Sequence, residues 1–340
     1  MTIRNLYLHI GMHKTGSSSI QLGLVQNSEV LEKHDYYYPM EGTYYWPHEH
    51  SVAPLAYGAL NIRPEYIGNR VINHEVCVSD IRRDIKATKC SNVIVSTEHF
   101  WYAKTQEDVK KIFEIFADLF ETMTVILYLR RQDFSIESHW SQWAKMGLTT
   151  SSFDEYCDEN ITDPIFNYYD SIFNWMKIFG KDNVVITPFE ERQFFGNNLI
   201  DDFCKKLNLK IEIEFPASIN KSPPKDYLEL QRAFFKSIST IAERRKFSQI
   251  FASLPVKVYR TNYTMLSAEK RAYILDFFRK SNERVAREYL DRADGVLFFE
   301  SEKSDVPVYP GMSLERFSVL TGKLILELAR NNAKLKAKID

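Results

Sequence analysis

The stretch LHIGMHKTGSSSIQ, Leu8 to Gln21, constrains this chain more than any other. An apolar run enters a loop holding Gly11 and Gly16, and a row of small hydroxyl residues then leads into a helical pattern. Strand, glycine-containing turn and helix are the context of a phosphate loop. The first N–H groups of the helix have no intrahelical partner, the dipole there favours an anion, and glycine lets the backbone approach closely. The G-x-x-x-x-G spacing with a hydroxyl residue at the end nearly spells a nucleoside-triphosphate loop. The lysine due after the second glycine is replaced by Ser17, and Lys14 stands inside the loop instead. From there its ammonium can lean over a bound group as a point charge. The amides of Gly16, Ser17 and Ser18 and the two serine hydroxyls supply the other donors. The bland alternative is a well-capped helix beside a fortuitous lysine.

Short β-rich runs at Leu6–Ile10, Asn92–Ser96, Thr124–Leu129 and Asn183–Thr187 alternate with helical patterns such as Gln106–Phe120 and Asp163–Phe179. The expected fold class is therefore α/β, a P-loop-like parallel sheet flanked by helices on both faces. The strand signals fade after about residue 215. Pro223-Pro224 then opens an expected long helix with Leu230, Phe234, Ile238 and Ile241 along one stripe, and a second helix runs from after Leu266 towards Leu290. We expect one domain over 1–303, an α/β core to about 215 and an added C-terminal helical region from about 216. A linker and an amphipathic tail helix fill 304–340. The linker candidate is Ser304–Gly311, and Leu314, Phe317, Leu324 and Leu328 mark the tail. That tail packs on its own domain or meets a partner, including a second copy.

A net charge of −1 gives no global field for nucleic acid or anionic lipid. The four cysteines show no C-x-x-C spacing and read as thiols of a reducing compartment. The first strand begins within a few residues of Met1, and no apolar run reaches the roughly 18 residues of a membrane span. A cytoplasmic protein is expected.

A triphosphate-hydrolysing site would need an Asp closing an apolar strand to hold magnesium. The strand VILYLRR closes on Arg130 and Arg131 instead, so phosphate charge is expected to be neutralised by side chains. Arg130 at that strand end and Ser138 early on the next helix can converge on one anion. With these two motifs in view, HKTGSSS resembles the phosphosulfate loop of sulfotransferases that use 3′-phosphoadenosine 5′-phosphosulfate (PAPS), usually written K-[ST]-G-T-T. The Arg130-x7-Ser138 pair is similar to that family's 3′-phosphate site. The resemblance implies that Lys14 stabilises the leaving phosphate, that Thr15, Gly16, Ser17 and Ser18 cradle the phosphosulfate, and that no metal is required. It extends loosely over residues 5–300 and leans towards a bacterial, carbohydrate-modifying branch. The R-K-G segment of cytosolic animal members is not visible, and Arg131 has no assigned role.

Transfer to a hydroxyl also needs a group to take the acceptor's proton. The strand NVIVSTEHF ends in Glu98 and His99, at the edge where such sheets bind ligands. Related sulfotransferases carry Glu or His at this strand end, and Glu98 is favoured over His99. The aromatic stretch Tyr36–Ala53 contains His48 and His50, which are candidates for a hydroxyl-bearing acceptor, a glycan or glycolipid. Two other classes stay open. One is a P-loop nucleotide kinase using ATP and magnesium; the other is a non-catalytic nucleotide- or glycan-binding module.

Overall fold

The computed structural model describes residues 4–40, 44–46, 49–62, 73–210, 224–253, 263–299 and 306–336. The first half runs β1 (Asn5–His9), α1 (Ser17–Gln26), α2 (Ser28–Lys33), β2 (Tyr36–Tyr37), β3 (Tyr44–Trp46), β4 (Glu49–Ser51), α3 (Ala53–Ala59), α4 (His74–Ala87), β5 (Asn92–Ser96), α5 (Gln106–Phe116) and β6 (Thr122–Leu129). Then follow α6 (Gln132–Met146), α7 (Phe153–Asn160), α8 (Tyr168–Phe179), β7 (Val184–Pro188) and α9 (Leu199–Lys206). The C-terminal helices are α10 (Lys225–Phe235), α11 (Ile241–Ser253), α12 (Ala268–Arg284) and α13 (Leu314–Lys336).

Five strands form one parallel sheet in the order β2-β5-β1-β6-β7. The chain leaves β1 towards the β2 edge, then works back across β1 to β6 and β7. Right-handed crossovers therefore place the connections that step in opposite directions on opposite faces of the sheet. The core divides accordingly. Ile20 and Leu24 of α1 and Leu31 of α2 pack with Ile94, Ile126 and Tyr128 on one face, where Phe203 of α9 joins them. Val93, Val95, Val125 and Leu127 point the other way, towards Ile112 of α5 and Trp175 of α8. The sheet reverses direction at β1, so the C-terminal ends of β1, β5 and β6 open side by side. That edge is where a doubly wound sheet holds ligands.

All four expected strands are present, each within two residues of its expected limits. Three helices differ from expectation, the first only in that α5 ends at Phe116, four residues short of Phe120. Asp163–Phe179 is α-helical only from Tyr168, because Pro164 lies in a separate 3₁₀ turn in which the Asp163 carboxylate accepts from the Ile165 amide. The expected long helix after Pro224 is two helices. α10 stops at Phe235, the hydroxyl of Ser237 donates to the Phe234 carbonyl (2.7 Å), and Thr240 accepts from the Glu243 amide (3.2 Å) to open α11. Hydroxyl side chains that bond nearby backbone groups compete with a continuous helix, so Ser-Ile-Ser-Thr breaks it.

α13 buries Leu320 and Leu324 against Tyr227 and Leu230 of α10 and Phe251 of α11. Ahead of it, Thr264 and Val308 form a parallel bridge, and the Tyr309 hydroxyl donates to Asp226 (2.6 Å). Among the described residues no helix is long and apolar enough to cross a membrane.

Candidate functional site

β1 ends at His9, and Ile10 adds one further bond to Ile126 before the loop departs. Both the amide and the hydroxyl of Thr15 donate to the Met12 carbonyl (3.3 and 2.6 Å), which folds residues 12–15 into a tight turn. Lys14, at the exposed tip of that turn, has φ 66°, and Gly16 has φ 79°. A left-handed lysine costs about 1–2 kcal/mol relative to ordinary backbone, a strain that clusters at functional sites. Gly16 is the N-cap of α1, and no side chain caps the helix. An added Cβ at Gly16 would overlap Leu199 Cδ2 at the start of α9, and one at Gly11 would lie 2.6 Å from His9 Nε2. A loop closed in by neighbours, with a helix N-terminus uncapped by side chains and a lysine at its rim, fits an anion. The residues expected to cradle phosphate, Lys14 to Ser18, share this loop.

Arg130, one residue past β6, donates through Nη1 to the Lys14 carbonyl (2.9 Å), and Tyr168 donates its hydroxyl to the Arg130 carbonyl. The guanidinium stands 5.9 Å from the Phe134 ring centroid. Thus the ends of two adjacent strands bring Lys14 and Arg130 together. Ser138 sits half-buried in the second turn of α6. Arg131, for which the sequence offered no role, is buried and bonds Asp133 twice (both 2.8 Å), and Arg271 of α12 bonds the same carboxylate. This buried triad ties the C-terminal helices to the start of α6.

Across β1, Glu98 opens a 3₁₀ turn in which Thr97 accepts from the His99 amide. Its carboxylate is buried. Oε2 accepts from Gln21 Nε2 (3.1 Å), and Oε1 lies 3.9 Å from His13 Nδ1 in the phosphate loop. Gln21 also donates to Ser96 Oγ (3.3 Å), which in turn bonds His9 Nδ1 (2.8 Å). His99 does not share this network. Its Nε2 pairs with the Tyr57 hydroxyl (3.0 Å), and its ring meets His13 edge-on at 5.3 Å between centroids. Burial lowers His9 and His99 to a pKa of about 4. Burial, the neighbouring His99, His139 and Lys14 lower His13 to about 3 against the pull of Glu98. These imidazoles are therefore neutral at pH 7. His13 Nε2, His99 Nδ1, His9 Nε2 and Gln21 Oε1 are buried without a hydrogen-bond partner among the described residues.

The expected acceptor histidines are not placed. His48 lies outside the described residues. His50 sits on β4 opposite Tyr45, and its side chain lies outside the described part. Sequence reasoning missed Gln21, Ser96, His9, His13 and Tyr57. A usable signal existed for Gln21: it is four residues after Ser17, hence on the same face of α1 one turn inward.

No protein-family model matches the chain. An uncharacterised protein of Archaeoglobus fulgidus is 26% identical over 223 residues, which are 62% of this chain and 57% of that protein. The match thus spans little more than half that relative's length. Among solved structures, a sulfotransferase from Alicyclobacillus acidocaldarius is similar with a TM-score of 0.43 and 16% identity, over 72% of this chain and 95% of that one.

Proposed function

We propose that the chain is a sulfotransferase that moves the sulfuryl group of PAPS to an acceptor hydroxyl, on a carbohydrate or glycolipid. The observation that carries this reading is the bond from Arg130 to the Lys14 carbonyl. It brings the Arg130 guanidinium to the backbone of the loop that carries Lys14 ahead of α1, with the buried Glu98 carboxylate just past the end of the neighbouring β5. The donor supplies the sulfuryl group and a bisphosphate leaving group. The amides and hydroxyls of Ser17 and Ser18 hold the phosphosulfate, and Arg130 and Ser138 hold the 3′-phosphate. Lys14 stabilises the charge that develops on the oxygen bridging phosphorus and sulfur. Glu98 takes the proton of the acceptor hydroxyl. The acceptor's O–S bond forms, the bond from sulfur to the bridging oxygen breaks, and that oxygen keeps the electron pair. Positioning and charge stabilisation carry most of such an in-line transfer, and no metal is required in this scheme.

His13 beside Glu98 and the His99–Tyr57 pair support a hydroxyl-bearing, uncharged acceptor, since they offer donors and acceptors without fixed charge. A thermal-shift titration tests the donor. Adenosine 3′,5′-bisphosphate at about 100 times its Kd should stabilise the fold by about 2.7 kcal/mol without magnesium. A shift seen only with ADP and magnesium would replace this reading with a nucleotide kinase.

A further inference from the structure

We infer that Gln21 is a positioning residue that holds the Glu98 carboxyl by one oxygen and leaves the other for the acceptor's proton; this rests on the reading of Glu98 as the base. Gln21 is fully buried in the second turn of α1. Its side chain reaches from the helix that would bind phosphate to the strand end that bears the carboxylate. Nε2 meets both Ser96 Oγ and Glu98 Oε2, while Oε1 has no partner.

This orientation is consistent with the donors and acceptors around it. Ser96 has one hydrogen and His9 Nδ1 lies 2.8 Å away. In the tautomer with His9 Nδ1 bare, Ser96 donates to Nδ1 and accepts from Gln21. The reversed amide would turn a carbonyl oxygen towards Glu98 at a distance of about 3 Å, which is tolerable only if Glu98 carries a proton. The arrangement present directs an N–H at Oε2 instead. A donor to the charged form favours ionisation, whereas burial opposes it. Because Oε2 is occupied and His13 is too far from Oε1 for a hydrogen bond, Oε1 is the oxygen left for proton transfer. One rigid helix then sets both the anion-binding end and the orientation of the base, so their separation does not depend on loop motion.

The test follows the Glu98 side-chain carboxyl by carbon-13 NMR titration in the full chain, with Gln21→Leu and Gln21→Glu variants. Both are close to glutamine in size, and neither offers the amide donor. Relative to wild type, the Glu98 midpoint should rise in Gln21→Leu and further in Gln21→Glu, where a second carboxyl competes for charge. Turnover should fall about tenfold or more, with little change in KM for PAPS. A packing role alone would leave the midpoint where it is, and an unshifted midpoint in both variants overturns the inference. Should the variants not fold, wild-type protein still decides. The Gln21 side-chain amide resonances must move with the Glu98 titration, and independence of the two refutes the contact. Since the titration needs no sulfate transfer, failure of adenosine 3′,5′-bisphosphate to bind would remove the sulfotransferase reading while leaving the Gln21–Glu98 result readable.

Discussion

Gly16→Ala probes the loop at the point where its backbone and its surroundings are both most demanding. Two separate costs follow from the structure. An alanine held at φ 79° pays about 1–2 kcal/mol for the left-handed conformation that glycine adopts freely. Its methyl also overlaps Leu199 Cδ2, on the first residue of α9. Relief requires Leu199 to turn away from Phe189 and its neighbours, about 1–3 kcal/mol for an overpacked site. The expected destabilisation is about 2–5 kcal/mol, or a Tm lower by about 3–7 °C in a chain of this size. Urea unfolding of wild type, Gly16→Ala, Leu199→Ala and the double variant separates the two terms. The overlap should appear as a coupling of about 1–3 kcal/mol, because truncating Leu199 opens the space, and the backbone cost should remain. Single-variant effects that simply add, within about 0.5 kcal/mol, would refute the overlap. An unchanged Gly16→Ala stability would refute both. The same variants titrated with adenosine 3′,5′-bisphosphate should bind more weakly wherever the loop is displaced.

Three further outcomes are expected. Lys14→Ala should lower sulfuryl-transfer turnover by about 10²-fold or more with Tm little changed, since it removes the leaving-group charge at an exposed position while alanine carries the same left-handed backbone cost as lysine; wild-type turnover sinks the mechanism. Asp133→Ala should cost about 3–5 kcal/mol in urea unfolding, because it strands Arg131 and Arg271 in the interior, and a loss below about 1 kcal/mol contradicts the buried triad. Acid should weaken the fold through His9. Its unfolded imidazole titrates at about 6.5 and its folded one at about 4, so the unfolded state binds the extra proton between these values and stability falls as pH drops. From pH 7 to 5 this amounts to about 2 kcal/mol, and His9→Gln should flatten the profile by about that much; an identical profile in the variant refutes the assignment.

Much of the fold is legible because buried parallel strands are continuously apolar, and β1, β5, β6 and β7 each carry that mark. β2 is two residues long, and the β3–β4 hairpin lies in an aromatic stretch with no clean alternation, so neither leaves a readable period. The break between α10 and α11 escaped a hydrophobic-stripe argument, since Leu230, Phe234, Ile238 and Ile241 keep helical spacing across it. What ends the helix there is local bonding by Ser237 and Thr240, which spacing does not record.

The site divides the same way. Lys14, Gly16 and Arg130 are readable because a loop that meets an anion needs particular residue types at particular offsets. His9, Ser96 and Gln21 carry no such offset: they stand 12 and 75 positions apart along the chain. What joins them is strand register. His9 and Ser96 are direct partners across the β1–β5 pair, at the last rung of both strands, and α1 lies over that face. A one-residue slip would turn His9 to the opposite face, away from Ser96, and strip Gln21 of one acceptor. The polar network beneath the phosphate loop is thus a consequence of the same pairing that fills the core with Leu8 and Val95. Register is specified by burial, and the position of Glu98 relative to Lys14 is specified by register. Substitutions in the apolar strand residues that loosen this pairing should therefore affect turnover before they unfold the protein.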